Sequence, residues 1–328
     1  VQTCALPIFK NKDKVIIALG DSFARGQGAC TLEFGRKYNW DWYSSNLTLN
    51  DKKEISKCFY DNSWVHQLCK NHLNDFEPLN LGLTGRGNRA TIKELYLCPE
   101  MNLHEKKEII VIFMLTGMER YDFVLSEFDE NSFFKTMWPK LDDRVSDNPD
   151  KNLWESYSKN VWSDRFAIME LLLNVAELKT WCKSHNAKLL MISAFRPDYL
   201  KNEFLRLINK ESNTFIKNNQ DYVSYLLDIM DWENFIRPNG HRCVTDYLCE
   251  LEERPDLIIE DLFGLSSKYY EFAYSHKELT PKGFITNCAH PSSSGNEKIS
   301  DILYKSIINN QFINLNNKHF DKSFLKII

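Results

Sequence analysis

Apolar residues gather in a few short runs separated by polar, glycine-containing loops. Val15-Ile16-Ile17-Ala18-Leu19 is unbroken and leads into Gly20-Asp21-Ser22-Phe23, so it reads as a strand buried on both faces that ends in a tight turn. Trp64, Val65, Leu68, Cys69 and Leu73 recur at helical spacing from Ser63, with Asp61, Asn62 or Ser63 as cap. Leu79-Asn80-Leu81-Gly82-Leu83 alternates as a short strand, runs into Thr84-Gly85-Arg86-Gly87-Asn88, and a helix follows from Ala90 to Leu97. Ile109 to Leu115 is the cleanest buried strand and ends in Thr116-Gly117-Met118-Glu119-Arg120. Ile168, Leu171, Leu172, Val175, Leu178 and Cys182 mark a long helix, which is followed by a strand from Ala187 to Ala194 that Arg196-Pro197-Asp198 terminates. Ile299, Ile302, Leu303 and Ile307 form the core stripe of a last helix.

Strand alternating with helix, with a polar loop at each strand's carboxyl end, predicts an α/β fold: a parallel sheet covered by helices on both faces. Ligands of such sheets bind at those carboxyl ends, so the serine turn, the glycine loop and the Thr116–Arg120 loop are expected to converge. Three stretches break the rhythm. Residues 31–62 are polar and aromatic without clear period and read as a surface excursion. Residues 121–163, with Trp138, Trp154 and Trp162, read as an insertion whose tryptophans anchor it to the core or line a sugar-stacking wall, and 199–280 as a second, mostly helical one around Arg237-Pro238-Asn239-Gly240. The expected organisation is one domain over residues 9–328 carrying both insertions. Residues 1–8, Val-Gln-Thr-Cys-Ala-Leu-Pro-Ile, lack an initiator methionine, resemble the translation of a sequencing adapter, and are set aside.

Composition narrows the classes. A chain of 328 residues with 43% hydrophobic content can bury a large core. A formal net charge of -4 gives no bulk attraction to nucleic acid, and no apolar run approaches a membrane span. The nine cysteines are odd in number, irregularly spaced and without Cys-x-x-Cys, which fits scattered thiols and a cytoplasmic default better than a disulfide scaffold or a zinc site. His104 and His185 lack metal-ligand spacing, and no cofactor is expected. Gly85-x-Gly87-x-x-Ala90 matches a dinucleotide fingerprint but follows the second strand rather than the first, with no acidic residue at the expected distance.

The chemistry-bearing candidate is Ser22. A serine lifted on a strand-to-helix turn becomes a nucleophile when a base takes its proton and backbone N–H groups face the developing oxyanion. Gly20 permits the sharp path, and Asp21 can hydrogen-bond within the turn. Near the other end, His290-Pro291 is followed by Gly295 at the start of the last helix.

In order, Gly20-Asp21-Ser22-Phe23, Asn80-Leu81-Gly82-Leu83-Thr84-Gly85-Arg86-Gly87-Asn88, the 116–120 block and His290-Pro291 resemble the SGNH, or GDSL, hydrolase superfamily, particularly its divergent phage and environmental members. The resemblance spans residues 15–310 and implies a flavodoxin-like three-layer α/β/α fold and ester hydrolysis through an acyl-serine. It makes Ser22 the nucleophile, His290 the general base, and the N–H groups of Ser22 and Gly85 oxyanion donors. The implied substrate is a glycan O-acetyl group or a small acyl ester.

Two blocks depart from the family pattern. Asn287 stands where an aspartate usually orients the histidine, leaving an orienting amide, a dyad, or an acid from elsewhere such as Asp246 or Glu297. Glu119 stands where the family uses an asparagine amide as oxyanion donor, and an ionised carboxylate cannot donate, so Arg120 or Asn88 are the candidates to replace it. These departures also motivate a second reading, a catalytically weak SGNH-fold protein that binds carbohydrate or belongs to a virion. Arg25, Arg86, Arg89 and Arg120 lie near strand ends, where they either bind an anionic substrate or sit in ordinary ion pairs.

Overall fold

The computed structural model describes residues 12–42, 44–97, 103–117, 120–129, 132–137, 163–195, 228–258 and 267–315, with short pieces at 155–156 and 159–160. Strand β1, Lys14–Gly20, lies between β2, Phe76–Asn80, and β3, Glu108–Leu115. After β3 come an antiparallel pair, β4 Tyr121–Asp129 and β5 Ser132–Met137, and then β6, Lys188–Ser193, which lies beside β3. The main sheet has the order β2-β1-β3-β6 with every pairing parallel.

Alternation along β1 explains why it is apolar throughout. Val15, Ile17 and Leu19 face one buried cluster, in which Ile92 and Leu95 of α5 (Asn88–Leu97) and Ile168, Leu171, Leu172, Val175 and Leu178 of α6 (Asp164–Ser184) cover the sheet. Ile16 and Ala18 face a second. That side is covered by Trp64, Val65 and Leu68 of α4 (Trp64–Asn71), Val244 and Leu248 of α7 (Val244–Leu251), Ala273 of α8 (Ser267–Tyr274), and Ile299 and Leu303 of α9 (Ser293–Ile308). Each large aliphatic side chain buried this way contributes about 1.5–3 kcal/mol. The architecture is a three-layer α/β/α sandwich.

Two local readings change. The second strand begins at Phe76, earlier than its alternation suggests, and contains Pro78, which an outer strand tolerates because one edge needs no donor. Leu81 and Leu83 then donate to Ala18 and Gly20 carbonyls at 2.9 Å each, carrying the chain along β1 toward Gly85. Residues 31–62 hold two helices, α2 Leu32–Lys37 and α3 Leu49–Asn62, the latter opened by a Thr48–Asp51 capping box. Only Ile55 of α3 is buried, which is why no period announces it. Trp40 and Trp42 pack with Cys30 and Ile55 in a satellite cluster instead of facing solvent.

The chain's crossover places β2 and β3 on opposite sides of β1, so the crevice at the carboxyl ends of β1 and β3 is the topological switch point of the sheet. Trp138, Trp154, Trp162, Glu119, Arg196-Pro197-Asp198 and residues 1–8 lie outside the described residues. Among the described residues, no helix is long and apolar enough to cross a membrane.

Candidate active site

Gly20 ends β1 with φ +144°, and a Cβ there would lie 2.5 Å from the Met114 carbonyl oxygen of β3. The glycine therefore lets the turn pass close over the neighbouring strand. Asp21 caps the four-residue helix α1, Ser22–Arg25, by accepting from Phe23 N–H at 3.0 Å. Ser22 follows, 7% exposed.

His290 reaches this serine from 268 positions away: its Nε2 is 2.7 Å from Ser22 Oγ. Its Nδ1 is 2.7 Å from the carbonyl oxygen of Cys288, which can only accept, so Nδ1 carries the proton. In the neutral ring Nε2 is then an acceptor aimed at the serine hydroxyl, the tautomer a general base requires. The loop that sets this arrangement is tightly tied. Thr286 donates to the His290 carbonyl through both its N–H, 2.9 Å, and its hydroxyl, 3.0 Å. Ala289 is held at φ 62°, a left-handed conformation costly for a residue with a Cβ, and its carbonyl accepts from the buried Tyr269 hydroxyl at 3.1 Å.

Burial opposes protonation of His290, but the negative potential of Cys288, the bonds to it and the charge of Asp21 outweigh burial and hold the imidazole above its ordinary range. For Cys288, burial pushes the thiol up, yet the charge of His290 and bonds from His290 and Thr286 leave it below the usual thiol range.

The residues proposed to orient His290 do not stand behind it. Asn287 sends its Nδ2 to the Lys277 carbonyl at 3.1 Å, and the position an amide or acid would take is filled by the Cys288 carbonyl. Asp246 is in α7, ion-paired with Arg242 at 3.8 Å, and Glu297 is exposed on α9. Neither carboxylate is bonded to the imidazole, whose two nitrogens are taken by Cys288 and Ser22.

The second and third blocks are clasped together beside the serine. Asn88 Oδ1 accepts from Thr116 N–H at 2.9 Å and its Nδ2 donates to the Thr116 carbonyl at 3.2 Å, which commits its amide to β3's end rather than to an oxyanion. Asp122, fully buried, accepts from Gly87 N–H and Ala90 N–H at 2.9 Å each. A Cβ on Gly87 would lie 2.6 Å from Asp122 Oδ2, so glycine is needed for this approach. Arg120 directs Nη1 at Asp21 Oδ2, 2.6 Å, and at the Arg86 carbonyl, 3.3 Å. The backbone N–H groups of Ser22 and Gly85 have no hydrogen-bond partner among the described residues.

Sequence reasoning missed Cys288, Thr286, Thr116 and Asp122. A backbone carbonyl gives no residue-type signal; the one legible cue is Asp122, an acid two positions beyond the third block. Among the described residues, no cluster of His, Cys, Asp or Glu has the arrangement of a metal site.

No protein-family model and no curated protein matches the chain. Among solved structures, the crystal structure of an acetyl xylan esterase, AlAXEase, aligns over 90% of this chain and 99% of its own at 12% identity, with a TM-score of 0.35.

Proposed function

We propose that the protein is a serine esterase of the SGNH type, one domain with insertions, acting on a glycan O-acetyl group or a small acyl ester. The observation that carries this reading is the 2.7 Å contact between Ser22 Oγ and His290 Nε2, with the tautomer set by Cys288 O at 2.7 Å. In the proposed reaction His290 takes the hydroxyl proton as Ser22 Oγ attacks the ester carbonyl carbon. The tetrahedral oxyanion is received by the N–H groups of Ser22 and Gly85, donors typically worth about 3–4 kcal/mol each in the transition state. The intermediate collapses, the ester C–O bond breaks, and His290 returns the proton to the leaving alcohol; water then repeats the cycle on the acyl-serine.

The site is a dyad completed by a main-chain carbonyl. A carbonyl fixes the tautomer as a carboxylate does but stabilises the imidazolium by a dipole rather than a full charge. With p-nitrophenyl acetate as substrate, wild-type protein is expected to turn over with saturation and Ser22→Ala to fall to the uncatalysed rate while keeping its circular dichroism spectrum. Equal turnover by the two proteins would discard the reading.

A further inference from the structure

Asp21 precedes the nucleophile and is fully buried. Its carboxylate has three donors in different parts of the chain: Phe23 N–H at 3.0 Å, Thr116 Oγ1 at 2.7 Å and Arg120 Nη1 at 2.6 Å. The Arg120 side chain is 9% exposed and its guanidinium lies over the Phe195 ring at 5.4 Å. Phe195 packs edge-on against Phe23, 4.7 Å between centroids, and Phe23 packs against the His290 ring at 5.1 Å. An apolar wall thus links the ion pair to the dyad and keeps water from screening it.

A buried carboxylate one residue from the serine would oppose negative charge developing on the substrate's carbonyl oxygen. It would also pull protons onto His290, because unpaired negative charge favours imidazolium. We infer that Arg120 is a positioning residue that offsets part of the negative charge of Asp21, so that the carboxylate can build the serine turn while its pull on the oxyanion site and on the base is held down. This rests on the esterase reading, and it gives the third-block arginine a different task from the oxyanion donation expected of that block. The titratable groups whose charge raises the pKa of His290 are Cys288, from its own loop, and Asp21, from the serine turn. Phe23 and Ser22 face the ring as uncharged partners.

A charge cycle tests the proposal. The His290 imidazole is titrated by NMR, and kcat/KM on p-nitrophenyl acetate is measured, in wild type, Arg120→Gln, Asp21→Asn, the double variant and Arg120→Lys. Arg120→Gln should raise the His290 midpoint by about one pH unit and Asp21→Asn lower it, as expected for a charge lost from the same buried, weakly screened surroundings. The double variant should return toward wild type, and Arg120→Lys should stay near it. Arg120→Gln should lose about 10²-fold in kcat/KM, the scale of a lost oxyanion-site interaction, and the double variant should recover part of that loss. An unmoved midpoint in Arg120→Gln, or a double variant slower than Arg120→Gln, as for a lost oxyanion donor, would overturn it. If Arg120→Gln fails to fold, Asp21→Asn alone decides, since an unmoved midpoint there is equally contrary. A wild type without esterase activity would sink the esterase reading, while the NMR cycle would still judge the charge pairing.

Discussion

In the proposed reaction His290 can act as a base only while neutral, so the potential around it sets the pH range of that reaction. Cys288 and Asp21 hold its pKa above the ordinary histidine range despite burial, and activity should therefore fall on the acid side from a pH above about 6.5. The sign follows from the ring's role: below its pKa, Nε2 carries a proton and cannot accept the one on Ser22. Replacing Cys288 separates its two contributions. Cys288→Ser keeps the carbonyl that fixes the tautomer but removes a group able to carry negative charge. Its kcat/KM profile should reach a plateau similar to wild type with the acid limb displaced to lower pH; a limb displaced upward would contradict the electrostatics assigned to the thiol.

At the scale of elements, the loop after β2 owes its position to residues far along the chain. Asp122, at the start of β4, holds Gly87 and Ala90, and Asn88 holds Thr116 at the end of β3. Asp122→Ala leaves two N–H groups in a buried setting unpaired and loosens the segment carrying Gly85. Misplacing the N–H proposed as an oxyanion donor should lower kcat by about tenfold or more with a smaller change in KM, and stopped-flow or steady-state kinetics would read it. Asp122→Asn retains one acceptor and should fall between. Strands β1, β3 and β6 were legible because each is an apolar run too short for a helix and bounded by polar turns, whereas β2, with Glu77 and Pro78 inside it, was placed too late. The meeting of Ser22 and His290 was legible because serine and histidine announce themselves at strand and loop ends. What supports them was not, since the partner of Nδ1 is a main-chain oxygen, and Asn88 and Arg120 have the right chemistry but are turned to Thr116 and Asp21. Helix α3 escaped for a related reason: it buries one residue, so its pattern carries almost no period.

Across the whole molecule, the dyad joins the turn after the first strand to the loop before the last helix, and a buried asparagine is among the side chains that secure that loop to the sheet's helical layer. Asn296, fully buried, accepts from Trp64 N–H at 3.0 Å and donates to the Pro291 and Ser292 carbonyls at 3.0 and 2.9 Å. Asn296→Ala leaves the Trp64 N–H and the Pro291 carbonyl without these partners, while the Ser292 carbonyl keeps its bond from the residue 296 N–H, and should destabilise the protein by about 2–4 kcal/mol. Urea unfolding should show a lowered midpoint with an unchanged slope. The central claim is that the fold brings one activated serine to the switch point of the sheet, and covalent labelling tests it most directly. Treatment of folded protein with a fluorophosphonate, followed by intact-mass and peptide analysis, should give a single adduct on Ser22 that His290→Ala greatly slows. Folded protein that takes up no adduct, or takes it up at another residue with Ser22 unmodified, would contradict the account.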